Sequence, residues 1–368
     1  MPGAPLIVHV LGRMTAGGNE RLCLELIRRA PPGVRQVLIT IDPTPEGPLQ
    51  PLFQAVPGLI FFHEPYSRDA RARFVLRLAC RLRALQPTGI ICYPFGLHLL
   101  VALAAKVVRR CRFISHVGNP PPEDGPLRLL FRRIVRLSGW LNTPLWSCSG
   151  TVHQQFCALG LPMPAGSRPL PNGVNVADLQ QTAARGRAKR TEPGPIVAMM
   201  ARLDSIKDHD TVIDAFAILH RQRPSARLWF VGDGERRATL EGRARAEGIA
   251  ESVSFLGVRK DIGELLGQTD VFVFSTTKSE GFGIALAEAM AVGLPIAASD
   301  VPACREVLAS GACGTLVPPR NAAALAQAIG VLIDDPDHGG QRKAALARAL
   351  SHYDIGDCAR HYYEYLLG

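Results

Sequence analysis

Apolar and polar positions alternate along the chain in two periods. Residues 6–11, 37–41, 89–93 and 112–116 are short, nearly continuous apolar runs, the pattern of strands buried on both faces. Residues 20–29, 71–85 and 97–109 lie between them and repeat their apolar positions at helical spacing. Residues 71–85 predict a strongly amphipathic, basic helix. Strand and helix alternate, which predicts a parallel sheet covered by helices.

Residues 162–195 interrupt the pattern. They hold Pro162, Pro164, Pro169, Pro171, Pro193 and Pro195, with Gly166, Gly173 and Gly194 among them, and a basic run at 185–190. This predicts a linker zone. The alternation then restarts. Strands are predicted at 196–200, 227–232, 253–256, 271–275 and 295–298, with helices at 211–221, 235–247, 262–267 and 284–292. The expected fold class is therefore α/β with two doubly wound domains. Ligands of such sheets bind outside the carboxyl ends of the strands, so a cleft between the domains is expected to hold the site. The domains are placed at 1–170 and 171–350. Residues 351–368, with His361, Tyr362, Tyr363 and Tyr365, form a last helix whose aromatic residues suggest packing.

The chain has 368 residues, enough for two domains at about 100–200 residues each. Apolar residues at 47% can fill two cores. Residues 1–175 carry 20 Lys and Arg against 8 Asp and Glu, a balance of +12, while the remainder balances at −2. The basic excess thus belongs to the first half. It suits an anionic substrate, an anionic membrane surface or nucleic acid. No nucleic-acid motif accompanies it, so no nucleic-acid partner is expected. Two stretches, 71–83 and 128–146, are basic and apolar together, as helices lying on anionic lipid are; ordinary surface helices can share that character. Nine cysteines without a CxxC pair predict reduced core thiols and no zinc site. No apolar run approaches the roughly 18 residues of a membrane span, and no secretory leader is visible. The expected location is cytoplasmic, with peripheral contact at the inner face of the membrane.

One segment concentrates the chemistry. Ser279-Glu280-Gly281-Phe282-Gly283-Ile284 joins a predicted strand to a predicted helix that carries Glu288. Gly281 and Gly283 let backbone approach a ligand, and the N–H groups of a helix start favour a phosphate. Glu288 can accept both vicinal hydroxyls of a ribose. Glu280, in the loop, is expected to be free to meet sugar hydroxyls. An acidic helix N-terminus would give the same local pattern. Upstream, Arg202 and Lys207 follow a strand end, where two cations can offset charge on a departing diphosphate. Gly17-Gly18 make a turn after the first strand. His116 ends a strand and is expected to face the cleft, where it can bond a sugar hydroxyl or polarise the reacting centre.

Glu280 and Glu288 stand in Glu-Gly-Phe-Gly…Glu-Ala-Met-Ala-x-Gly-x-Pro. This resembles the retaining GT-B glycosyltransferases of family 4, glycosyl transferases group 1. Ala201-Arg202-Leu203…Lys207, Phe230-Val231-Gly232-Asp233-Gly234, Phe255-Leu256-Gly257, Pro171-Asn172-Gly173-Val174 and Gly17-Gly18-Asn19-Glu20 extend the resemblance over most of the chain. It departs after Lys207, where Asp208-His209 replace the usual glycine, and after His116, where Val117 replaces an aspartate.

The resemblance implies a catalytic set of His116, Arg202, Lys207 and Glu280. It implies donor contacts from Gly17, Gly18, Asn172, Val258, Arg259, Gly281, Phe282, Gly283, Ile284 and Glu288, with Val258 and Arg259 reading the base through backbone. The first domain would bind the acceptor and the second the nucleotide-sugar, and the last helix would cross back to the first domain. It further implies a hexosyltransferase with no metal and no cofactor, a UDP-sugar being the co-substrate. The transfer would give a hexose or N-acetylhexosamine to a lipid-linked or surface-polysaccharide acceptor. A small-molecule natural-product acceptor, a UDP-sugar hydrolase or epimerase on the same fold, and a non-catalytic nucleic-acid binder are the alternatives.

Overall fold

The computed structural model describes residues 4–15 and 17–368 and divides into two units. Unit 1 runs to Asn172 and takes in Ile355–Gly368; unit 2 is Gly173–Asp354.

Unit 1 is built from β1 (Leu6–Leu11), α1 (Gly18–Arg28), β2 (Arg35–Thr40), α2 (Gln50–Gln54), β3 (Ile60–His63), α3 (Arg71–Leu85), β4 (Gly89–Cys92), α4 (His98–Ala105), β5 (Arg112–Val117), α5 (Gly125–Trp140), β6 (Leu145–Ser147), α6 (Gly150–Cys157) and β7 (Arg168–Pro169). The seven strands are parallel in the order β3-β2-β1-β4-β5-β6-β7. β1 is buried along its whole length, as a central parallel strand between two helical layers must be. One face of the sheet packs on α1, the other on α3 and α4.

Unit 2 follows with α7 (Val176–Ala188), β8 (Ile196–Met200), α8 (His209–Gln222), β9 (Arg227–Val231), α9 (Arg237–Ala246), β10 (Val253–Phe255), α10 (Ile262–Gln268), β11 (Val271–Phe274), α11 (Ile284–Ala291), β12 (Ile296–Ser299), α12 (Pro302–Val307), β13 (Thr315–Val317), α13 (Ala322–Asp334) and α14 (Gln341–His352). Its six parallel strands run β10-β9-β8-β11-β12-β13. The chain order reverses between β8 and β11, and a doubly wound sheet opens its crevice at that reversal.

The last helix, α15 (Ile355–Leu367), belongs to unit 1. Ile355, Cys358, Tyr362, Tyr363 and Leu366 line its buried stripe. The Tyr363 hydroxyl donates to Leu26 O at 2.7 Å, and the Tyr362 hydroxyl shares a hydrogen bond with His116 Nδ1 at 3.0 Å.

Two expectations need correction. The linker zone at 162–195 contains the 13-residue helix α7, capped by Asn175, whose side chain accepts from Asp178 N. Its buried stripe of Val176, Leu179, Ala183 and Gly186 is too small to announce a helix among the prolines and glycines. Trp146 does not continue the basic helix. It lies on β6, 1% exposed, with the Arg168 guanidinium 4.1 Å from its ring centroid.

The small stripe of α7 lets α10 approach closely. A Cβ on Gly186 would overlap Glu264 O, and one on Gly267 would overlap Ala183 O. Gly267→Ala gains about 1 kcal/mol of helix propensity but drives a methyl into backbone. A net loss of about 1–3 kcal/mol is expected in denaturant unfolding. A stabilised variant would contradict this packing.

Candidate functional site

The reversal between β8 and β11 brings two loops of unit 2 together. After β8, Asp204 Oδ1 accepts from the backbone N–H of Ile206 (3.0 Å) and Lys207 (3.3 Å), which folds the loop into a turn. After β11, Thr277 N donates to Ile206 O at 3.1 Å, and Asp208 N donates to Ser275 O at 3.1 Å. These bonds fix the position of Lys207. Its ammonium donates to Glu280 Oε2 and lies 4.5 Å from the centroid of the Phe274 ring. The side chains of the pair are 14% and 11% exposed.

Glu280 is therefore not the free loop carboxylate expected from sequence. Oε2 takes Lys207 and lies 3.4 Å from Thr276 Oγ1. Oε1 accepts from the N–H groups of Gly281 (3.1 Å) and Phe282 (3.3 Å). Burial pushes this carboxyl's pKa up. The Lys207 charge and the hydrogen bonds from Lys207, Phe282 and Gly281 outweigh it and hold the group below the usual carboxylate range. Glu280 stays ionised and anchors the cation.

Gly283 follows at φ +80° as the N-cap of α11. A side chain would be strained at that φ, and its Cβ would press within 3.1 Å of the Phe274 ring. Phe282 is 3% exposed and packs edge-on against Tyr353, with ring centroids 5.4 Å apart. Its side chain is structural, so only its backbone faces the loop. Gly281 and Phe282 spend their N–H groups on Glu280. The N–H groups that helix geometry leaves for an anion are those of Ile284 and its successor in the first turn. Glu288, in the second turn, is 7% exposed.

The other unit 2 candidates line the same strand ends. Arg202 is largely exposed, and its Nη2 donates to Asp204 Oδ2 at 2.9 Å. Ala201 N donates to Val231 O (3.0 Å) and Leu203 N to Asp233 O (3.1 Å), so the loops after β8 and β9 lie side by side. Cβ atoms on Gly232 and Gly234 would overlap Ala201 O and Leu203 O, which explains the two glycines of the Phe-Val-Gly-Asp-Gly run. Gly232 N also donates to Gly257 O at 2.8 Å, bringing in the loop with Val258 and Arg259. Val258 is exposed, and Arg259 Nε donates to Asp261 Oδ1 at 2.8 Å.

Sequence reasoning passed over Asp204 and Thr276. Asp208-His209 were visible only as a departure, and the structure gives both a task. Asp208 caps α8 by accepting from Thr211 N at 3.4 Å. His209 is fully buried, and its Nδ1 donates to Lys207 O at 3.2 Å. Its ring packs edge-on against Phe230, with centroids 5.3 Å apart. Burial lowers its pKa to about 4, so the ring is a neutral prop behind Lys207.

In unit 1, Gly17 caps α1 and Gly18 begins it. A Cβ on Gly17 would overlap the Glu20 carboxylate, so this helix start already faces an acidic group. A Cβ on Gly118 would come within 2.9 Å of Asn19 Oδ1, so the segment after β5 converges on the Gly17-Gly18 turn. His116, expected to face the cleft, is 0% exposed. The Tyr362 hydroxyl covers Nδ1, and Nε2 is buried without a hydrogen-bond partner. Burial lowers its pKa to about 4, so it is neutral at pH 7. Asn172 is 6% exposed, with Oδ1 likewise buried and unpartnered. Among the described residues no cluster of three or more His, Cys, Asp or Glu is arranged to hold a metal ion, and no helix is long and apolar enough to cross a membrane.

Residues 180–349 match the family described as glycosyl transferases group 1. A phosphatidyl-myo-inositol mannosyltransferase of Mycobacterium leprae is 35% identical over 188 residues, 50% of this chain and 49% of that protein. The putative glycosyltransferase EpsD of Bacillus subtilis is 30% identical over 255 residues, 65% of each chain. The chain spans about half to two thirds of the length of these curated relatives. In three dimensions it is similar to Anabaena HepE, solved with UDP and glucose. The TM-score is 0.83 at 20% identity, over 98% of this chain and 99% of that one. The fold is GT-B, with a Rossmann-like sheet in each unit. The Lys207 and Glu280 loops, at the reversal of the second sheet, both lie within residues 180–349, the stretch that matches the glycosyl transferases group 1 family.

Proposed function

We propose that the protein is a retaining glycosyltransferase. It takes a hexose or N-acetylhexosamine from a UDP-sugar and passes it to a lipid-linked or surface-polysaccharide acceptor, without a metal. The observation that carries this reading is the Lys207–Glu280 pair at the reversal of the unit 2 sheet, beside the N-terminus of α11. The HepE complex with UDP and glucose supports the donor class, and the mannosyltransferase and EpsD support the acceptor class.

In this reading the diphosphate lies against the first turn of α11, with Arg202 and Lys207 stabilising its growing charge. Glu280 holds Lys207 in place and offers its remaining acceptor capacity to the sugar, while Glu288 takes ribose hydroxyls. The bond from the sugar's anomeric carbon to the diphosphate oxygen breaks as the acceptor oxygen bonds to the same face of that carbon. The acceptor proton passes to the departing diphosphate. The basic first unit brings the protein to an anionic membrane surface, where such acceptors reside.

Turnover against a panel of UDP-, GDP- and ADP-sugars tests the donor. We expect activity with a UDP-sugar, retention of anomeric configuration in the product, and no loss in excess EDTA. Inverted product or EDTA-sensitive turnover would refute the mechanism. Donor breakdown at the same rate with and without acceptor would replace transfer with hydrolysis.

A further inference from the structure

The outer face of α5 takes no part in that chemistry. Its inner side is held down by Phe131, whose ring centroid lies 5.6 Å from that of Phe95 and 6.0 Å from that of Phe156, and by Ser138, whose hydroxyl bonds to His98 Nε2 at 2.8 Å. On the opposite side Leu129, Leu130, Leu137 and Trp140 are 61%, 48%, 47% and 81% exposed. Arg132, Arg133 and Arg136 stand among them, also exposed. Of the thirteen large apolar side chains left exposed among the described residues, eight fall between Leu76 and Trp140, on or beside α3, α4 and α5. From residue 71 to residue 177 the chain has 14 Lys and Arg but only two acids, Glu123 and Asp124.

An apolar strip of this extent is unusual on a surface without a partner. A second copy of the chain is a poor occupant, because a symmetric contact would oppose two arginine-rich faces. Arginine lets its stem lie along apolar surface while its fork reaches phosphate, and tryptophan favours the boundary between headgroups and acyl chains. We propose that α5 lies in the plane of an anionic lipid bilayer. Leu129, Leu130, Leu137 and Trp140 enter the acyl boundary, and Arg132, Arg133 and Arg136 grip headgroup phosphates. This assigns the proposed membrane contact to one helix face and rests on the acceptor reading above. It is independent of the donor site.

The test is flotation of the full chain with vesicles of phosphatidylcholine alone and of phosphatidylcholine with phosphatidylglycerol. Binding is expected only to the anionic vesicles, with a blue shift in Trp140 emission that is absent in Trp140→Phe. Each charge reversal at Arg132, Arg133 or Arg136 should weaken partitioning by about fivefold or more. Leu137→Ser with Trp140→Ser should weaken it by about tenfold or more. All five side chains are exposed, so these variants should keep the wild-type melting curve, and donor turnover in solution should not change. Equal binding to both vesicle types, no binding, or binding untouched by the α5 variants would overturn the proposal. A sedimenting dimer that Trp140→Ser converts to monomer would overturn it in favour of a self-contact. Because donor turnover is read separately, failure here leaves the donor reading standing, and the reverse also holds.

Discussion

Lys207→Ala is expected to lower kcat/KM for donor turnover about 10³-fold, the scale of removing a charge stabiliser from a transition state. It should also lower stability. Lys207 and Glu280 are a nearly buried pair, and removing one partner leaves a carboxylate enclosed without its cation. Breaking such a pair costs about 3–5 kcal/mol. The N–H groups of Gly281 and Phe282 still face Glu280 Oε1 and soften that cost. Glu280→Gln in the same chain removes the orphaned charge, so the double variant should regain stability without regaining activity. Arg202→Ala separates the two effects from the other side. Its exposed pair with Asp204 is worth about 0–1 kcal/mol, so turnover should fall about 10²-fold with an unchanged unfolding curve. Steady-state kinetics beside urea unfolding gives both numbers. Wild-type turnover in Lys207→Ala would remove the site from this loop.

The parts of this site that sequence made legible are those written in short segments. Parallel strands covered on both faces read as apolar runs, so the alternation in both halves was plain. The glycines and glutamates of 280–288 form one local pattern. What stayed hidden depends on partners far apart in the chain. The bond between Lys207 and Glu280 spans 73 positions and exists because β8 and β11 are neighbours in the sheet. His116 was placed on the right strand, yet its enclosure depends on Tyr362, 246 positions away on α15. The two-residue strand β7 and the small stripe of α7 carry too little apolar signal to be seen among prolines.

Mild acid is expected to unfold unit 1 before unit 2. His9, His98 and His116 all lie in unit 1, at most 1% exposed, and burial lowers each pKa to about 4. Each ring nitrogen in use is tied to a fixed partner. His9 bonds Tyr93 at 3.0 Å and Gln36 at 2.8 Å, and His98 bonds Ser138 at 2.8 Å. In the unfolded chain each histidine titrates near its ordinary value of 6.5. Between pH 6.5 and 4 the unfolded state therefore binds more protons than the folded state, and stability falls as pH falls. The loss is about 1.4 kcal/mol per histidine for each pH unit below 6.5. Three such residues remove about 4 kcal/mol per pH unit, a large share of any domain's stability. Among the described residues of unit 2, only His209 is in this condition. Glu280 adds a loss there that begins only below its ordinary 4.5, because its folded pKa is depressed. Two tryptophans separate the units: Trp146 packs against Tyr362 in unit 1, with ring centroids 4.9 Å apart, and Trp229 lies on β9 in unit 2. Acid titration in fixed urea should move the Trp146 transition first, and His116→Gln should flatten its pH slope by about a third. Coincident transitions, or a His116 ring that titrates near 6.5 by NMR, would show that these histidines are not held neutral by the fold.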